Sequence, residues 1–73
     1  MYQEIFKQRL KEARKKRSYT QAEAAIELNI PRVNITNYET GRTQPDIETL
    51  GKLADLYEVS VDWLLGTGIT KKG

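Results

Sequence analysis

Residues that start and stop helices recur along this chain at intervals too short for any long element. Thr20 with Glu23, Asn29 ahead of Pro31, Gly41, Asp46, Ser60 and Gly66 divide it into segments of two to four helical turns. Within the segments apolar residues recur at helical spacing, and nowhere do they alternate as in a half-buried strand. Five short helices with tight connections therefore make an all-α globule the expected fold class.

Tyr2, Ile5, Phe6, Leu10 and Ala13 form the apolar stripe of a first helix over about 2–17. Thr20 and Glu23 have the spacing of a capping box, in which hydroxyl and carboxylate satisfy the first free backbone donors of a second helix, QAEAAIEL. Asn29 accepts a left-handed conformation, and Pro31 suits a helix start because its missing N–H has no duty there. A third helix is thus expected over 31–40, stopped by Gly41, with a three-residue turn before it. Asp46 caps a fourth helix to about Tyr57, with Ile47, Leu50, Leu53, Ala54 and Tyr57 as its stripe. Gly51 inside it implies either a close backbone approach or simple tolerance at a cost of about 1 kcal/mol. Ser60 starts a short fifth helix, VDWLL, which Gly66 ends, so residues 1–66 read as one domain and 67–73 as a flexible tail.

The chain of 73 residues has no Cys and no His. That composition argues against disulfide scaffolds, thiolate or imidazole metal sites and Ser-His-Asp or Cys-His nucleophiles. The scattered Glu residues give no pair for acid–base work, and no glycine-rich phosphate loop is present. No enzyme activity, cofactor or metal is expected. There is no run of 18 apolar residues and no basic-then-apolar leader, so no membrane partner and a cytoplasmic location are expected. The net charge of +2 says little, but residues 1–17 carry seven basic and two acidic groups while 46–62 carry five acidic and one basic. Such a dipolar domain can turn a basic face to a polyanion, although a solvated lysine-rich helix has the same pattern.

The informative segment runs from about 20 to 41. Ile35 and Tyr38 share one face of its second helix, which leaves Arg32, Val33, Thr36 and Asn37 on the other. Those side chains can address base edges, and a helix is the element that fits the B-DNA major groove. The preceding helix would cross the sugar–phosphate backbone, where Gln21 and its free N-terminal N–H groups can meet a phosphate. Generic αα-hairpins share this topology.

Arg14, TQAEAAIEL, Ile35, NYETG at 37–41 and PDIETLGKLADLYEVSVDWLLG from Pro45 together resemble the phage-repressor and Cro-like, or Xre-type, helix-turn-helix regulators. The resemblance covers about residues 9–66. It implies a five-helix, lambda-repressor-like domain with 21–28 as scaffold helix and 31–40 as recognition helix. By position it implies base reading by Arg32, Val33, Thr36 and Asn37, with Asn34 at the margin. Arg32 suits guanine, Asn37 adenine, and Val33 or the Thr36 methyl a thymine methyl. Phosphate contacts are implied for Thr20, Gln21, Arg42 and the backbone at Thr40 and Gly41, and an ion pair for Arg14 with Glu39. Ala24 stands where a larger aliphatic residue is common, Asn29 where Gly is frequent, and Pro31 replaces a Ser or Thr.

The function expected is that of a sequence-specific, double-stranded DNA-binding transcriptional regulator, a repressor more readily than an activator. One domain reads one half-site, so a homodimer on the operator is expected, with Val61, Leu64 and Ile69 as candidate contacts. Relief of repression would come from a protein anti-regulator, from protein level, or from a further C-terminal region. The alternative is an antitoxin-like or adaptor protein acting through a protein partner.

Overall fold

Each helix in the computed structural model, which describes residues 1–67, ends where a residue leaves helical geometry. The order is α1 (Tyr2–Lys16), α2 (Gln21–Leu28), α3 (Arg32–Thr40), α4 (Ile47–Tyr57) and α5 (Val61–Leu65). Among the described residues there is no strand. The capping box at α2 is complete: the Thr20 hydroxyl accepts from the Glu23 N–H at 3.0 Å, and the Glu23 carboxylate accepts from the Thr20 N–H at 2.9 Å. Asp46 and Ser60 cap α4 and α5 in the same one-sided way, accepting from the N–H groups of Thr49 and Trp63.

The turn between α2 and α3 is built by Asn29 at φ 58, with the Asn29 and Ile30 N–H groups closing on the carbonyls of Ile26 and Ala25. Pro31 is the N-cap of α3, one residue outside the helix that the sequence places it in. Its ring fixes φ alone, and at ψ 144 the residue is extended. Two further non-glycine residues, Ser18 and Glu58, are also left-handed and reverse the chain after α1 and α4.

Phe6, Leu10, Ala13, Ala24, Ala25, Ile35, Tyr38, Leu53, Ala54, Tyr57 and Leu64 form one core to which all five helices contribute. Helix α1 packs one face on α3, α4 and α5. Tyr19 covers one side, its ring 6.1 Å from that of Tyr57, and burial pushes the Tyr57 hydroxyl well above the ordinary phenol range. Trp63 is only half-buried; the Arg9 guanidinium lies 4.9 Å over its ring and also donates to its backbone carbonyl, tying α5 to α1.

Leu64 has no exposed surface. The expectation that it contacts a second copy is therefore corrected: on a helix of five residues it is the side chain that faces inward and closes the core. Val61 is half-buried against that core. Ile69 and all but the first residue of the expected 67–73 tail lie outside the described residues.

Candidate nucleic-acid interface

Helix α3 is anchored on one side and open on the other. Ile35, Tyr38 and Glu39 are buried; Arg32, Val33 and Thr40 are exposed; Asn34, Thr36 and Asn37 are half-buried between them. Positions 32, 33, 36, 37 and 40 follow a single stripe along the helix, so the polar groups expected to read bases share a face. Val33, 58% exposed, is the one large apolar side chain on it and has no core to serve.

A polar network holds this face in register with the rest of the domain. The Arg14 guanidinium from α1 grips the Glu39 carboxylate on α3 with two bonds, Nε to Oε2 at 2.7 Å and Nη2 to Oε1 at 3.1 Å. Its third nitrogen, Nη1, donates to the Tyr19 carbonyl at 2.8 Å. Both residues are buried, and the bond to Glu39 raises the Arg14 pKa against the opposing cost of burial. A fork-to-fork pair of this kind fixes direction as well as distance. It therefore sets the rotation of α3 relative to α1.

The network extends to the start of α2. Gln21 Nε2 donates to Glu39 Oε1 at 3.1 Å, while Gln21 Oε1 accepts from the Thr36 hydroxyl at 2.8 Å. Three helices thus meet at one carboxylate. The Gln21 side chain expected at a phosphate is joined directly to the Thr36 side chain expected at a base. Sequence spacing carries no trace of this link, because Gln21 and Thr36 are 15 residues apart on different helices.

The other expected phosphate positions divide. Thr20 is exposed at the N-terminus of α2, where its hydroxyl oxygen serves the cap and its proton stays available. Arg42 is exposed just beyond α3. The backbone at Thr40 and Gly41, also expected at a phosphate, forms the end of α3. Thr40 is the last residue of the helix, and the N–H groups of Gly41, Arg42 and Thr43 all turn inward onto the Asn37 carbonyl. The Thr40 hydroxyl closes on that same carbonyl at 3.3 Å. Gly41 serves to end the helix at φ 81, where a Cβ would come within 3.2 Å of the Lys7 side chain.

A DNA-binding helix-turn-helix is the class of site that these elements define. Residues 10–64 match the helix-turn-helix family, and the chain belongs to it as a member of the phage-repressor, or Xre-type, regulators. It is 59% identical over 58 residues to the HTH-type transcriptional regulator ImmR of Bacillus subtilis, an alignment covering 80% of this chain and 46% of that protein. It is 41% identical over 61 residues to the SPbeta prophage-derived HTH-type transcriptional regulator YonR of the same organism, covering 84% and 56%. With the cryptic phage CTXphi transcriptional repressor RstR of Vibrio cholerae it shares 41% identity over 64 residues, covering 88% and 57%. The chain spans about half the length of these relatives. The family is one of DNA-binding regulators rather than of enzymes. No helix among the described residues is long and apolar enough to cross a membrane.

Proposed function

We propose that this chain is a sequence-specific, double-stranded DNA-binding, cytoplasmic transcriptional repressor, and that α3 is its major-groove reading helix. The observation that carries the proposal is the one-sided exposure of α3. Its open face bears Arg32, Val33, Thr36 and Asn37, with half-buried Asn34 at the margin, while Glu39 and Ile35 on its other side are locked to the body of the domain. A rigidly held helix with short polar groups on one face is what base reading demands, since each good pairing discriminates by about 1–3 kcal/mol only if its geometry is fixed.

Arg32 near the N-terminus of α3 suits the O6 and N7 of guanine, Asn37 one turn further suits the N6 and N7 of adenine, and Val33 suits a thymine methyl. Thr20, the second amide hydrogen of Gln21, and Arg42 flank that face as phosphate contacts. Repression is favoured over activation by the likeness to RstR, which is named as a transcriptional repressor. Two copies on a two-fold operator complete the reading, because one α3 spans only a half-site.

Selection from a randomised duplex library, followed by sequencing, tests this. The expected result is a two-fold-symmetric site whose affinity falls by about 1–3 kcal/mol in Arg32→Ala and Asn37→Ala, with non-specific binding intact. Equal losses on all sequences would remove those residues as base readers. Recovery of no site would favour a protein-directed adaptor.

A further inference from the structure

We infer that Thr36 addresses its base pair as a hydrogen-bond acceptor only, because the Gln21 amide takes the single proton of its hydroxyl. The inference rests on α3 being the reading helix and specifies what that helix can read.

The direction of every bond in the network follows from its buried end. Both Glu39 carboxylate oxygens accept from Arg14, at 2.7 Å and 3.1 Å. The Gln21 amide also lies 3.1 Å from Glu39 Oε1, and an oxygen already committed to a guanidinium requires a donor there. The amide must therefore turn its Nε2 to Glu39. Its other end, Oε1, then faces Thr36 Oγ1 at 2.8 Å and can only accept. Reversing the amide would set its carbonyl against a carboxylate and abandon a nine-tenths-buried group, Glu39 being 8% exposed.

A hydroxyl has one hydrogen and two lone pairs. With the hydrogen spent inside the protein, half-buried Thr36 offers the groove its lone pairs and its methyl group. In the major groove only the N6 amino group of adenine and the N4 amino group of cytosine donate. The O6 and N7 of guanine and the O4 of thymine would face a lone pair across from their own. Thr36 therefore selects an amino base over a keto base on the strand it touches, and its methyl remains free to pack on a neighbouring thymine methyl. A threonine with an unengaged hydroxyl rotates to suit either kind of edge. The selectivity thus comes from Gln21 and Glu39, as positioning residues, and ultimately from Arg14 on α1.

The test uses the full chain and the operator recovered by selection, synthesised with one base atom changed at a time. Amino groups are deleted by purine in place of adenine and by the 4-unsubstituted pyrimidinone in place of cytosine; acceptors are removed by 7-deazapurines and by deletion of O6 or O4. Wild type, Thr36→Ser and Thr36→Val are each titrated. The expected result is one amino group whose deletion weakens wild type and Thr36→Ser by about fivefold and leaves Thr36→Val unaffected. Coupling of Thr36 to an acceptor atom, or to no atom, overturns the inference while leaving the DNA-reading function standing. Failure of selection to return any site overturns both.

A second variant keeps the inference falsifiable if Thr36→Val is poorly folded. Gln21→Met releases the hydroxyl proton, so the ratio of affinities for amino and keto bases at the Thr36 position should fall by about fivefold. A uniform loss from the missing phosphate contact cancels in that ratio. An unchanged ratio overturns the inference.

Discussion

Glu39 is a charged residue buried in a very small domain, and it is tolerated because both its carboxylate oxygens accept hydrogen bonds, three in all, from Arg14 and Gln21. Removing one partner leaves the other charge stranded away from water, so Arg14→Met or Glu39→Leu alone should lower stability by about 3–5 kcal/mol in urea unfolding. The double replacement should cost less than either single one. If each single change costs under about 1 kcal/mol, the pair is solvated and does not hold α3. The pair itself was legible in the sequence through the resemblance, as were the side chains on the open face of α3. The Gln21 to Thr36 bond was not, because a contact between two helices leaves no periodicity along either. Leu64 was misjudged for a related reason: four of the five residues of α5 are apolar, so the pattern does not show which of them faces inward.

At the scale of the element, caps dominate, and most of them were readable. Thr20, Asp46 and Ser60 act as the sequence predicts because Ser, Thr and Asp have few better uses ahead of an apolar run. The left-handed conformations of Ser18 and Glu58 were not readable, since neither residue type favours them; at both sites the backbone N–H groups close on carbonyls of the preceding helical turn. Asp46 carries a pH dependence. Its bonds to the side chain and backbone of Thr49 hold its carboxyl below the ordinary carboxylate range. Its stabilisation of α4 is therefore present above the unfolded-state value, about 4, and is lost as pH falls through the lower folded-state value. In Asp46→Asn, which caps without a charge, the decline of the melting temperature on acidification should be shallower than in wild type; parallel profiles would show that the Asp46 carboxylate contributes nothing. Gly51 allows the opposite kind of change. A Cβ there meets nothing within 4 Å, so the glycine is simply tolerated. Gly51→Ala should raise stability by about 0.5–1 kcal/mol through the unfolded state, and a loss on urea unfolding would reveal a close approach at that site.

For the whole molecule the question is which basic groups touch phosphate and which only supply a field. The charge asymmetry legible in the sequence does not separate them, because Lys11, Lys15 and Lys16 on α1 are exposed just as Arg42 is. Geometry does separate them in one respect. Arg42 follows directly on α3, the helix proposed to read bases, whereas α1 is joined to that helix from behind, through Arg14 and the buried side of α3. A group in contact with phosphate releases a condensed counterion, and each one contributes about 0.9 to the slope of log affinity against log salt. Arg42→Ala should therefore weaken binding to all sequences alike and make the slope shallower by about 1 per copy bound. Replacing Lys15 and Lys16 together with Gln should slow association at low salt while changing the slope by much less than the value of about 1.8 expected for two contacts. Stopped-flow association and salt titration on one operator measure both quantities. A slope change near that value for the lysine pair would place α1 against the DNA backbone and shift the footprint of each copy towards its N-terminal helix. Little change for Arg42 would mean that the phosphate contacts lie only at the start of α2, around Thr20 and Gln21.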